Sequence, residues 1–250
     1  MSNSLRLTLR QQEIVKDENG YRTWRARAYP AELVADETAL VLCDIWDTHW
    51  CRGANQRLAA LLPRMSEVVQ SARGLGVLII HAPSDTMEFY QDSPARKRVL
   101  EAPQAAFPQE LPHDDPAQPI DSSDGGNDTD DNVGAVNELV WTRQHPAIKI
   151  DDSRDGISDD GQELYNLFVQ RGIKNVLIMG VHTNMCILNR SFAIKQMVKW
   201  GFRVALIRDL TDSMYNPARP PYVSHDEGTQ LTIEFIEKFW CPTVDSGDLL

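Results

Sequence analysis

Four short runs in the chain are apolar almost without a break: "ALVLCDIW" (39–46), "VLIIHAP" (77–83), "NVLIMGV" (175–181) and "RVALIRDL" (203–210). A strand with one wet face alternates apolar and polar residues, whereas a continuous Val, Ile and Leu run suits a strand covered on both faces. A sheet buried on both sides needs helices above and below it, and the intervening segments supply them. In "ANQRLAALLPRMSEVVQSARG", Leu58, Leu61, Leu62, Met65, Val68, Val69 and Ala72 fall on one helical face, and Gly74 is placed to close the helix. "GQELYNLFVQRG" (161–172) and "NMCILNRSFAIKQMVKWG" (184–201) end on glycine in the same way. "SHDEGTQLTIEFIEKFW" opens with Ser224 and Glu227 at capping-box spacing. A weaker strand is expected to end near "AIKI" (147–150), and "CPTV" (241–244) is placed to add an edge strand. The alternation predicts an α/β fold, a three-layer α/β/α sandwich around a central, mainly parallel sheet of about six strands.

At 250 residues, 42% of them apolar, the chain can bury one large core and is read as a single domain, 1–250. Two segments stand outside the repeat. An N-terminal extension (about 1–30) holds alternating stretches, "LRLTL" and "YRTWRARAY", that predict a hairpin packed beside the sheet. Residues 102–140 are rich in Pro, Asp and Gly and read as an acidic surface excursion. Eight acidic residues and no Lys or Arg lie between Glu110 and Asp131, so most of the formal charge of −11 is local. "DSSDGGNDTDD" fails the EF-hand spacing and reads as a solvated loop. A chain without a basic footprint is a poor match for nucleic acid or anionic lipid, so neither is expected as a partner.

No apolar run approaches the roughly 18 residues that span a bilayer. The N-terminus lacks an apolar signal core. Four cysteines, at 43, 51, 186 and 241, form neither a disulfide framework nor a Cys-x-x-Cys pair, and a cytoplasmic location with reduced thiols is expected. "GLGVLI" precedes a strand instead of following one, so it reads as a turn and not as a dinucleotide site. No cofactor is expected.

Ligands of such sheets bind beyond the carboxyl ends of the strands. Three residues are placed to meet there. Cys186, in "MGVHTNMCILNRS", falls where a strand ends and a helix begins near Thr183 or Asn184. The first turn of a helix favours an anion, which predicts a lowered thiol pKa and a nucleophilic thiolate. The same position would also suit a small residue that merely packs. Asp44 ends the run "ALVLC", and a carboxylate at the end of a buried strand needs a partner or a purpose, unless it only caps the turn "DIWDTHW". Lys149 follows "HPAI" at the end of the weak strand; alone it reads as a surface lysine. Converging, the three would move one another's pKa values. Cys43 should point to the face opposite Asp44.

An Asp ending the first strand, a Lys ending a middle strand and "GVHTNMC" entering a helix together resemble the isochorismatase-like cysteine hydrolases, which include nicotinamidases, N-carbamoylsarcosine amidases and isochorismatases. "LYNLFVQRGIKNVLIMG" and "GFRVALIRDLTDS" resemble the flanking elements, and the likeness runs from about Ala39 to Trp240. The resemblance implies a Rossmann-like, isochorismatase-like fold with Cys186 as nucleophile, Asp44 as general acid/base and Lys149 as third triad member. It also implies a non-proline cis peptide between Val181 and His182, and an oxyanion hole from the N–H groups of His182 and Cys186. The implied reaction is cleavage of a C–N bond in a small amide or carbamoyl compound through a thioester.

Nicotinamidases carry a metal near the second strand's end, held by an Asp-x-His pair and another His. Here "HAPSDTMEFY" offers His81 and Asp85 but no histidine two places after Asp85, so no metal is expected, and His81 reads as a hydrogen-bonded strand-end residue. Trp46, His49 and His182 are candidates to line a pocket for a flat or apolar substrate portion. Trp46 and Trp50 could equally pack, at a subunit contact for instance. Two alternatives stand beside the amidohydrolase reading. One is enol-ether hydrolysis of an isochorismate-like acid, which Cys186 speaks against; the other is a catalytically idle binding or assembly subunit. The resemblance implies a homo-oligomer acting on a small-molecule substrate.

Overall fold

The computed structural model describes residues 3–129 and 139–250. Among them one sheet of eight strands runs in the order β2-β1-β8-β7-β6-β3-β4-β5. Its centre is parallel: β3 (Thr38–Cys43), β4 (Leu78–Ala82), β5 (Gly156–Ile157), β6 (Asn175–Val181), β7 (Arg203–Asp212) and β8 (Thr243–Val244). These six agree with the sequence reading of a mainly parallel core. The other two, β1 (Ser4–Lys16) and β2 (Arg22–Val34), form a long antiparallel hairpin that continues the sheet instead of lying beside it. The pattern that allows this is Leu5, Leu7 and Leu9, alternating and buried against the core. The hairpin puts β8 inside the sheet, between β7 and β1, where the sequence suggested an edge.

The strands separate two cores because successive side chains point to opposite faces. Leu40 and Leu42 join Met65, Val69, Met179 and Ile207 on the face covered by α1 (Arg52–Leu75). Ala39, Val41 and Cys43 join Phe168, Ile178, Phe192, Leu206 and Ile236 on the other face. That side is covered by α3 (Gly161–Arg171), α5 (Ile194–Lys199) and α6 (His225–Phe239), with α2 (Pro94–Leu100) and α4 (Cys186–Asn189) completing the helices. Each fully buried Leu, Ile, Phe or Met contributes about 1.5–3 kcal/mol over leaving it exposed. The caps hold where the side chain or a glycine sets the backbone: Ser224 and Glu227 form the reciprocal capping box of α6. α1, however, runs through Gly74 and ends at Gly76, whose φ of 99° suits the left-handed cap.

Three further sequence expectations change. The segment 184–201 is not one helix: α4 stops after Asn189, Arg190 takes extended backbone, and α5 starts at Ile194. Ser191 instead accepts the Gly161 N–H at 2.9 Å, so a tertiary contact at the start of α3 replaces a turn of helix. "AIKI" is not a strand either; β4 pairs with Gly156–Ile157 farther on. Residues 121–129, in the acidic excursion, are not a freely solvated loop. Asp128 pairs with Arg57 at 2.6 Å and Asp124 with Arg219 at 3.1 Å, which straps the segment to α1 and to the β7–α6 connection. Asp130 and Asp131 lie outside the described residues. Among the described residues, no helix is long and apolar enough to cross a membrane.

Candidate active site

The carboxyl edge of β3 carries Asp44, which is fully buried. The chain leaves the strand there with φ of 50°, a left-handed conformation that Asp tolerates better than most residues. Its N–H reaches the Ala82 carbonyl at 3.0 Å, and its Oδ1 accepts the Ser84 N–H at 2.8 Å. The strand end and the β4 exit therefore fix where the carboxylate points. Its Oδ2 accepts Nε of Arg190 at 3.1 Å, and its charge acts on the Cys186 thiol beside it. β6, the neighbour of β3, brings Cys186 to that edge. The Val181–His182 peptide bond is cis, and Cys186 opens α4.

The electrostatics reverse one expectation. Burial first, and the Asp44 charge second, push the Cys186 thiol well above the ordinary cysteine value, against the pull of Arg190 and of the His182 N–H. Four residues of helix do not outweigh a carboxylate in contact with the sulfur. Burial likewise raises Asp44, opposed mainly by Arg190. A fully buried carboxyl and a half-buried thiol thus lie beside one guanidinium, and the thiol holds its proton until the carboxylate accepts it.

Lys149 does not pair with Asp44. Ile148 is buried, Lys149 turns outward, and its carbonyl accepts Arg73 Nη2 at 2.9 Å. Arg73 lies near the end of α1, so the backbone of Lys149 is tied to that helix while its side chain is exposed. Among the described residues Lys149 makes no ion pair. The cation against Asp44 is Arg190, which sequence reasoning missed although it stands four places after Cys186.

His182 is buried, its ring meeting His49 edge-on at 5.0 Å. Burial and the neighbouring His49 push it down to about 3, so it is neutral at pH 7. His49 stacks on Trp141 at 5.6 Å, and Trp141 on Trp46 at 4.1 Å. Trp46 Nε1 is anchored on the Ser84 carbonyl at 3.0 Å. An aromatic shelf of Trp46, His49 and Trp141 therefore lies between the Asp44 strand end and His182; Trp141 went unnoticed in the sequence.

The residues at the β4 exit do not fit a metal. Both His81 ring nitrogens are engaged, with Gln144 Oε1 at 2.7 Å and Asp155 Oδ2 at 3.0 Å. Asp85 is directed to Arg190 at 3.4 Å. Among the described residues no three His, Cys, Asp or Glu side chains converge to hold an ion. The His81 site is instead a buried brace. Arg73 grips Asp155 through Nε at 3.1 Å and Nη2 at 2.6 Å.

Burial raises the Asp155 carboxyl, but the bonds from His81 and Arg73 outweigh it and bring it down to about 2. A depressed carboxylate contributes stability that is fully present above its ordinary 3.8 and is lost as pH falls to and through about 2. Asp155→Asn is expected to cost about 3–5 kcal/mol at neutral pH, since it leaves the buried Arg73 guanidinium unpaired. Urea melts should show the gap between wild type and variant closing below pH 4, by about 2–3 kcal/mol in total. A gap independent of pH would contradict the assignment.

The sequence of residues 38–220 matches the family model described as the isochorismatase domain. The chain belongs to the isochorismatase family. The fold of this isochorismatase-family protein resembles that of a cysteine hydrolase from Pseudomonas syringae pv. phaseolicola 1448A, with a TM-score of 0.52 at 16% identity over 87% of this chain and 92% of that one. It also resembles an isochorismatase from Pseudomonas putida KT2440, with a TM-score of 0.52 at 11% identity over 86% and 91% of the two chains. No curated protein matches the sequence. Membership places the protein among hydrolases on a mostly parallel α/β sheet, which is the fold class expected from the sequence.

Proposed function

We propose that this isochorismatase-family protein is a cysteine hydrolase that cleaves the C–N bond of a small amide or carbamoyl compound through a thioester, without a metal. The observation that carries the reading is the Cys186 thiol set beside the fully buried Asp44 at the carboxyl edge of the sheet. A thiol that keeps its proton against a carboxylate suits a reaction in which proton transfer and attack occur together. Asp44 takes the thiol proton as sulfur bonds to the carbonyl carbon. It then returns the proton to the leaving nitrogen, so that ammonia or a small amine departs and the acyl group stays on sulfur. Asp44 next takes a proton from water, whose oxygen attacks the thioester and releases the acid and the thiol.

The backbone N–H groups of His182 and Cys186 are the donors assigned to the oxyanion. The His182 N–H lies near enough to act on the sulfur, and Cys186 opens a helix, where no preceding helical turn claims its N–H. Neutral His182 and the aromatic shelf suit a flat or apolar substrate portion.

The test is ammonia release from a panel of small amides and carbamoyl compounds, with rapid acid quenching and intact-mass measurement for an acyl adduct on Cys186. Cys186→Ala is expected to lower turnover by about 10³-fold or more. Turnover that survives Cys186→Ala, or activity confined to enol ethers, would favour the isochorismate-type reaction. A chain inert to all of these with an unreactive Cys186 would favour a binding subunit.

A further inference from the structure

A fully buried carboxylate needs a counter-charge to stay ionised. Among the described residues, the cation that reaches Asp44 is Arg190, Nε to Oδ2 at 3.1 Å. The arrangement is local in origin. Arg190 caps the four-residue α4 that Cys186 opens, its N–H bonding the Cys186 carbonyl at 3.1 Å. Its backbone then turns extended, with φ of −60° and ψ of 152°. The helix stops where the side chain must turn back toward β3. The outer side of the guanidinium faces Asp85, which is itself held in a left-handed conformation with φ of 65°.

We propose that Arg190 is the positioning residue of the Cys186–Asp44 pair: it keeps Asp44 ionised and aimed at the thiol, the role expected of Lys149. The proposal rests on the nucleophile reading above and extends it, because the cation then comes from the cysteine's own turn and not from a separate strand. Arg190 touches neither the scissile bond nor the leaving group in this scheme; it acts through Asp44. Asp44 can accept the Cys186 proton only while it is ionised, so loss of the guanidinium makes the thiol harder to deprotonate.

Alkylation of the full-length protein by iodoacetamide tests this without knowledge of the substrate. Sulfur bonds to the reagent's methylene carbon, iodide leaves, and the thiol proton passes to Asp44 and on to solvent. The rate at Cys186 is followed by peptide mass spectrometry from neutral to strongly alkaline pH. In Arg190→Met the midpoint is expected to rise by about one pH unit, with about tenfold slower alkylation at neutral pH. Arg190→Lys should recover most of the loss, and Lys149→Met should match wild type. If Arg190→Met does not fold by circular dichroism, Arg190→Gln against Arg190→Lys carries the same contrast between a neutral and a charged hydrogen-bonding side chain.

An unshifted profile in the neutral variants, or a shift in Lys149→Met, overturns the proposal. A wild-type Cys186 that stays unmodified at every pH while Cys51 or Cys43 reacts overturns the nucleophile reading, and this one with it. A Cys186 that reacts but ignores Arg190 overturns this one alone.

Discussion

Asp44→Asn is expected to make Cys186 easier to ionise and, at the same time, to remove hydrolysis. The two effects have one cause. The Asp44 charge is, after burial, the main reason the thiol lies above its ordinary range. A neutral amide removes that repulsion, and the midpoint for alkylation of Cys186 should fall toward the free-cysteine value of roughly 8.5. The same amide cannot accept the thiol proton in the attack or return it to the leaving nitrogen, so turnover should drop by about 10²–10⁴-fold.

A nucleophile that became more available while the enzyme became slower would distinguish proton transfer by Asp44 from a role in folding. Folding is checked separately, since Asn keeps the acceptor for the Ser84 N–H. Turnover retained in Asp44→Asn, or a midpoint that moves upward, would sink the assignment. Because Asp44 and Arg190 act on the thiol with opposite signs, the paired variants also exclude a general disturbance of the edge.

Among the described glycines, Gly180→Ala is expected to be the most disruptive added methyl group. Gly180 lies opposite Cys43 in the β3–β6 ladder, at a bulge in the pairing of β6 with β7, and holds φ at 126°. A Cβ built there would stand 2.0 Å from the Cys43 carbonyl oxygen, a backbone atom that cannot swing aside. The left-handed backbone and the collision act together, so a loss of about 4 kcal/mol or more, or failure to fold, is expected. Thermal and urea melts read the effect. The consequence for the site is direct. Gly180 lets β6 approach β3 closely one residue before Val181, which sets the spacing between the turn carrying Cys186 and the strand end carrying Asp44. Any Gly180→Ala protein recovered at low temperature should alkylate Cys186 with a pH profile closer to that of Asp44→Asn than to that of wild type. A soluble variant with native stability and native reactivity would contradict this account.

Much of this was legible in order along the chain. The runs at 39–46, 77–83, 175–181 and 203–210 mark four central strands, because a parallel sheet covered on both faces leaves little choice but unbroken Val, Ile and Leu. The Ser224–Glu227 box and Gly172 mark helix ends, because caps are decided by a few neighbouring residues. Asp44 and Cys186 could be placed at one edge, since strand direction alone decides which end of a parallel sheet a residue occupies.

What tertiary structure decided involves groups distant in sequence. The break after Asn189 follows from Ser191 meeting Gly161, 30 residues away, against an amphipathic pattern that favours continuing the helix. The brace of Arg73, His81 and Asp155 sits at the start of β5, Lys149 is exposed, and the cation beside Asp44 comes from 146 residues along the chain. The sign of the thiol shift depends on burial and on a carboxylate in contact with it, neither of which helix position encodes. Local pattern determines conformation and strand direction because both follow from nearest neighbours. Charge pairing and desolvation follow from distances in space, and those exist only once the strands have packed.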